Sequence, residues 1–150
     1  MAVTMKQVRA ALEQEEPNYD KAAKLGPDAL PHLGRLVRGD DAMLASKAAY
    51  LAGLIDSDRS PAVLEQAAES DVPAVRVAAA SAVQHLSADV PELFDRLLSD
   101  DDAGVRRSAL KSVAAAKPEG VTDKVNELAV GDATEHVRDL ARDTAKELRK

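Results

Sequence analysis

A chain of 150 residues, 45% hydrophobic and 31% charged, is long enough to bury the core of one domain and does not require a second. Its formal net charge of −6 makes a phosphate backbone an unfavourable default partner, because such binding draws on clustered Lys and Arg. Cysteine is absent, which excludes disulfides, thiolate metal sites and cysteine nucleophiles, and Tyr19, Tyr50 and Phe94 are the only aromatic residues, too few to stack bases or sugars.

The opening stretch MAVTMKQVRAALEQ interleaves Lys6, Gln7, Arg9 and Glu13 with its apolar residues, unlike a signal peptide, and no later stretch stays apolar long enough to span a bilayer; a cytoplasmic protein is expected. Met5, Val8, Ala11 and Leu12 make a helical stripe, EQEEPN interrupts it, and Ala22, Ala23 and Leu25 suit a short second helix before Gly26-Pro27. Residues 1–26 therefore read as a degenerate helix pair capping one end of the remaining chain.

From Pro27 onward the chain repeats itself over 27–56, 57–87, 88–117 and 118–150. Each unit opens with an i, i+3, i+4 stripe: Leu33, Leu36, Val37; then Leu64, Ala67, Ala68; then Phe94, Leu97, Leu98; then Val125, Leu128, Ala129. A second stripe starts at Leu44, Val75, Val105 and Val137, spaced 31, 30 and 32 residues apart, with Ala48, Ala79, Ala109 and Ala141 four positions on. Its later positions are Leu51, Val83, Val113 and Ala145, then Ile55, Leu86, Ala116 and Leu148. The unit is helix, turn, helix, and the chain is predicted to be one all-α domain of about five antiparallel helix pairs. Pro31, Pro61 and Pro91 sit near the start of the first helices, where a missing N–H costs little, with Ser60 placed as a cap. The turns carry Asp40-Asp41, Asp71, Asp100-Asp101-Asp102 and Asp132, which suit helix starts, and Asp132 with Glu135 has capping-box spacing. A single pair cannot bury its apolar face, so pairs must stack, and the alanine at the fourth position lets second helices approach closely.

The pattern Asp, a few residues, Val-Arg, two residues, Ala recurs at Asp71 to Val75-Arg76 to Ala79, at Asp101 to Val105-Arg106 to Ala109, and at Asp132 to Val137-Arg138 to Ala141. It resembles the HEAT repeat, particularly the short prokaryotic type named after phycobilisome lyases, over roughly residues 27–150. The first unit departs, with Leu44-Ala45 and no Arg. The resemblance implies an armadillo/HEAT-like right-handed α-solenoid whose second helices line a concave inner face. It also implies a structural ladder of Asp71, Arg76, Asp101, Arg106, Asp132 and Arg138.

Nothing in the residue pattern carries catalysis. His32, His85 and His136 lie too far apart to share a helix as metal ligands and read as solvent-exposed. Deoxyhypusine hydroxylase, a HEAT enzyme, uses His-Glu dipeptides on iron, whereas this chain has only Glu135-His136, reversed. The acidic runs lack calcium-loop spacing, and no Gly-rich phosphate loop or nucleophile elbow occurs. No enzyme activity, cofactor or metal is expected.

By helical geometry the second helices expose offsets two, six and nine from each anchor: Ser46, Tyr50, Gly53; Val77, Ser81, Gln84; Arg107, Lys111, Ala114; Asp139, Asp143, Lys146. Tyr50, Val77, Gln84, Arg107 and Lys111 are the candidate partner-binding residues. The expected function is a non-catalytic scaffold taking a protein or peptide. A tetrapyrrole holder resembling a phycobilin lyase or its helper, and a helical nucleic-acid binder, are the alternatives; the chain is short and aromatic-poor for the first and acidic for the second.

Overall fold

The structure, a computed structural model, describes residues 2–150. Among them are ten α-helices, two short 3-10 turns and no strand. Two short helices, α1 (Met5–Leu12) and α2 (Tyr19–Ala23), come first. Four pairs come next: α3 (Leu30–Val37) with α4 (Ala42–Ile55), α5 (Ser60–Ala68) with α6 (Pro73–Ala82), α7 (Pro91–Leu98) with α8 (Ala103–Ala116), and α9 (Thr122–Gly131) with α10 (Glu135–Leu148). No helix is long and apolar enough to cross a membrane, among the described residues.

The helices form two layers in chain order. The second helices α4, α6, α8 and α10 pack side by side, α3, α5, α7 and α9 form the other layer, and each pair bridges the two. Helix α1 packs on α2, α3 and α4, and α2 on α4, closing one end. The anchors Leu44, Val75, Val105 and Val137 and the alanines four positions on are all buried. The stripes of the first helices are buried too. Only the last offset fades, with Ile55, Leu86 and Leu148 half-buried and Ala116 exposed.

Small residues set the spacing of the second-helix layer. On α4, Ala48, Ala49, Ala52 and Gly53 are buried, as are Ala79, Ala80 and Ala82 on α6. A Cβ on Gly53 would stand 2.7 Å from the carbonyl oxygen of Ala82 and 2.8 Å from its Cβ. Gly53 is therefore not an exposed surface position as its offset suggested; it is a point of close approach between α4 and the last residue of α6. On the other side of α6, the buried Ser112 donates its hydroxyl to the carbonyl of Ala80. Helix α6 stops at Ala82 and tightens into a 3-10 turn, Val83–His85, so its last carbonyls need outside donors.

The helix starts divide their capping among several devices. Asp41 and Asp102 accept from the backbone N–H of Leu44 and Val105, and Thr4 with Gln7 forms a capping box on α1. The capping box expected from Asp132 and Glu135 does not form: α10 begins after Thr134, and Asp132 instead accepts from Thr134 N at 2.8 Å. Ser60 is not the cap of α5 but its first residue, and its hydroxyl accepts from Ser57 N.

Candidate functional site

The last three of the four turns between paired helices share one geometry. In each of them a side chain accepts from the N–H two residues on: Ser70 from Val72, Asp100 from Asp102, and Asp132 from Thr134. The arginine six residues after each of these positions donates back to its carbonyl: Arg76 to Ser70 O, Arg106 to Asp100 O, and Arg138 to Asp132 O. That bond holds the guanidinium against the turn, and from there it reaches forward into the next one. Arg76 clasps Asp100 through Nε and Nη2 at 2.9 and 3.3 Å, and Arg106 clasps Asp132 at 2.7 and 3.0 Å.

The rungs are thus Arg76–Asp100 and Arg106–Asp132, both largely buried, and they correct the expected ladder in two places. Asp71 makes no ion pair among the described residues, and Asp101 touches Arg76 only from the rim, its side chain 95% exposed. The bond from each arginine to the carbonyl six residues back sets the register at the residue before Asp71 and Asp101. Arg138 is the last of the series among the described residues. Burial pushes the Asp132 carboxyl upward, but the hydrogen bonds from Arg106 and Thr134 and the charges of Arg106 and Arg138 outweigh it and hold the group below its ordinary value. The hydrogen bonds to Asp100 and Asp132 raise Arg76 and Arg106 above theirs.

The second-helix layer places the five candidate binding residues unequally. Tyr50 is half-buried, its ring edge-on to Tyr19 at 5.0 Å and to His85 at 5.7 Å, with its hydroxyl 3.4 Å from His85 Nε2. Burial, and then the neighbouring Tyr50 phenol, raise the Tyr19 hydroxyl above its ordinary value. Val77 is half-buried at the α6–α8 seam, where its Cγ2 lies 3.8 Å from the point at which a Gly104 side chain would begin. Gln84 is occupied internally, donating to Ser81 O at 3.1 Å and to Ser112 Oγ at 3.5 Å. Gln84 and Ser112 together satisfy carbonyls that the early end of α6 leaves open. Arg107 and Lys111 are exposed, one turn apart on α8, and neither forms an ion pair among the described residues.

Of the histidines read as exposed, only His136 is. His85 packs on Tyr50, and the half-buried His32 donates from Nε2 to Val3 O at 2.7 Å, tying the N-terminal segment to α3. A carbonyl only accepts, so the proton is on Nε2. No group of three or more His, Asp and Glu side chains comes together as a metal site among the described residues. Sequence reasoning missed the Tyr19–Tyr50–His85 cluster. Its one trace in the sequence is that Tyr19 stands one repeat length before Tyr50.

No protein-family model matches the chain, and no curated protein matches it.

Proposed function

We propose that the chain is a non-catalytic interaction module, a right-handed α-solenoid of about five antiparallel helix pairs akin to short HEAT repeats, presenting its second-helix face to a protein or peptide. The observation that carries this reading is the pair Arg107 and Lys111: two exposed cations one turn apart on α8, without ion-pair partners among the described residues, on the layer whose neighbours Tyr50 and Val77 leave apolar edges partly open. Cations engaged in holding a fold have partners, as Arg76 and Arg106 do; unpaired ones beside partly open apolar surface suit an acidic peptide segment. The aromatic content supports a peptide over a flat ligand. Phe94 is buried, and Tyr19 and Tyr50 pack on each other's edges.

The test is affinity capture from native lysate with the wild type and an Arg107→Glu, Lys111→Glu variant, both shown by circular dichroism to be folded. Capture of a defined protein by the wild type and its loss in the variant support the reading. Equal capture by both, or salt-dependent binding of duplex DNA or visible absorbance after mixing with bilin in its place, refutes it.

A further inference from the structure

We infer that the first turn, at Gly39–Asp41, together with the second, at Ser70–Val72, forms a binding site for the arginine side chain of a partner protein, because it is the one step of the ladder from which the chain's own arginine is missing. The site is built from the turns and is independent of the second-helix face.

Aligning the rungs places Ala45 where Arg76 and Arg106 stand in the following repeats, Gly39 where Ser70 and Asp100 offer their carbonyls, and Ser70 where Asp100 and Asp132 offer their carboxylates. Ala45 has no guanidinium to supply, and no donor among the described residues reaches the Gly39 carbonyl. A cleft of about 440 Å³ opens there, lined by Gly39, Asp40, Ala45, Ser70, Asp71 and Val72 among others. The corresponding cleft between α7 and α9, about 390 Å³, has Arg106 and Asp132 in its wall, so an arginine spanning this position is the arrangement the fold itself uses.

The open step keeps a backbone carbonyl and a rim carboxylate, with a serine hydroxyl where the rung carboxylates of Asp100 and Asp132 stand. Gly39 O corresponds to the carbonyl that takes Nη1 elsewhere, Ser70 Oγ sits at the rung position, and Asp71 corresponds to Asp101, which accepts from Arg76 Nη2 at 3.3 Å. Two further features fit an arginine. Val72, 40% exposed and one of three large apolar side chains so exposed among the described residues, lines the cleft where an aliphatic stem would pack. Glu69 is paired with Arg96, and Arg38, which also lines the cleft with its Nη1 near Gly34, forms no ion pair with Asp40 or Asp71, so both carboxylates line the cleft without an ion-pair partner among the described residues. A planar fork of five donors matches a carbonyl, a hydroxyl and a carboxylate on two adjacent turns, and a lysine ammonium does not.

The experiment is a ¹H–¹⁵N NMR titration of the full chain with Nα-acetyl-arginine amide, and with the lysine analogue as control. Expected are saturable shifts at the amides of Gly39, Asp40 and Ser70 to Val72 for the arginine probe and none that saturate for lysine. An Ala45→Arg, Ser70→Asp variant builds the missing rung from within, so its urea midpoint should rise and its response to the arginine probe should vanish. Asp71→Asn, at an exposed residue outside the core, should weaken the response without moving the urea midpoint, and it decides the matter if the double variant fails to fold. No saturation in the wild type, equal response to lysine, an undiminished response in the folded double variant, or an unchanged response in Asp71→Asn overturns the inference.

Discussion

Two glycines, both buried and both inside helices, should respond to the same substitution in opposite directions. Replacing glycine by alanine in a helix interior gains about 0.5–1 kcal/mol through lost freedom of the unfolded chain. At Gly34 on α3 the new Cβ meets Arg38 Nη1 at 3.9 Å and Val63 Cγ2 at 4.0 Å, ordinary contact, so Gly34→Ala should be stabilising by about that amount. At Gly53 the Cβ would lie 2.7 Å from Ala82 O, a backbone atom that no rotamer change can move. To reach ordinary contact α4 and α6 must separate by about 0.7 Å, which forfeits about a quarter to a half of the dispersion energy along that seam. Overpacking of this kind costs about 1–3 kcal/mol, so after the backbone gain Gly53→Ala should be destabilising by about 1–2 kcal/mol. Urea unfolding followed by circular dichroism should show the Gly53→Ala midpoint lowered by roughly 0.5–1 M and the Gly34→Ala midpoint raised. If Gly53→Ala is as stable as Gly34→Ala, close approach does not govern the second-helix layer, and the reason offered for its alanines fails.

The same seam logic predicts that Ala109→Leu, at a fully buried position on α8, loses about 1–3 kcal/mol, and an unchanged urea midpoint would count against it. Ser112→Ala should cost about 1 kcal/mol by removing the donor to Ala80 O and the acceptor for Gln84, read as a lower urea midpoint. Asp132→Ala should cost about 2–3 kcal/mol, because it leaves the largely buried Arg106 without its carboxylate and Thr134 N without its acceptor; an effect below that of an exposed control such as Asp139→Ala refutes the ladder's structural role. Since the folded Asp132 carboxyl is held below its unfolded value, its contribution is full above pH ~4 and is lost as pH falls through the lower native value. Wild type should therefore lose stability more steeply than Asp132→Asn on acidification below pH ~4, and parallel pH profiles would contradict the assignment.

Much of this molecule was legible in the chain because it is local. A 3.6-residue spacing of apolar side chains locates a helix wherever it occurs, and Pro31, Pro61 and Pro91 with the aspartate turns mark where helices start, so each pair and its buried stripe follow from neighbours within a dozen residues. Other features depend on which surfaces meet. Gly53 looked exposed by periodicity and is buried because α6 arrives at that point. Gln84 looked available and is engaged because α6 ends a turn early and opens its carbonyls to Gln84 of the following 3-10 turn and to Ser112 of α8. Tyr19 on α2, Tyr50 on α4 and His85 in the 3-10 turn after α6 lie far apart in the chain, and Tyr19 joins the other two only through the packing of α2 on α4. The rung partners obeyed the same rule. Spacing along the chain offers Arg76 an aspartate upstream at Asp71, but a guanidinium held to the carbonyl of Ser70 through Nη1 presents Nε and Nη2 to the following turn, so its partner is the carboxylate of the next repeat. Local physics determined the helices and their inward faces; the stacking of one repeat on another decided which polar groups are satisfied within the fold and which remain free to bind.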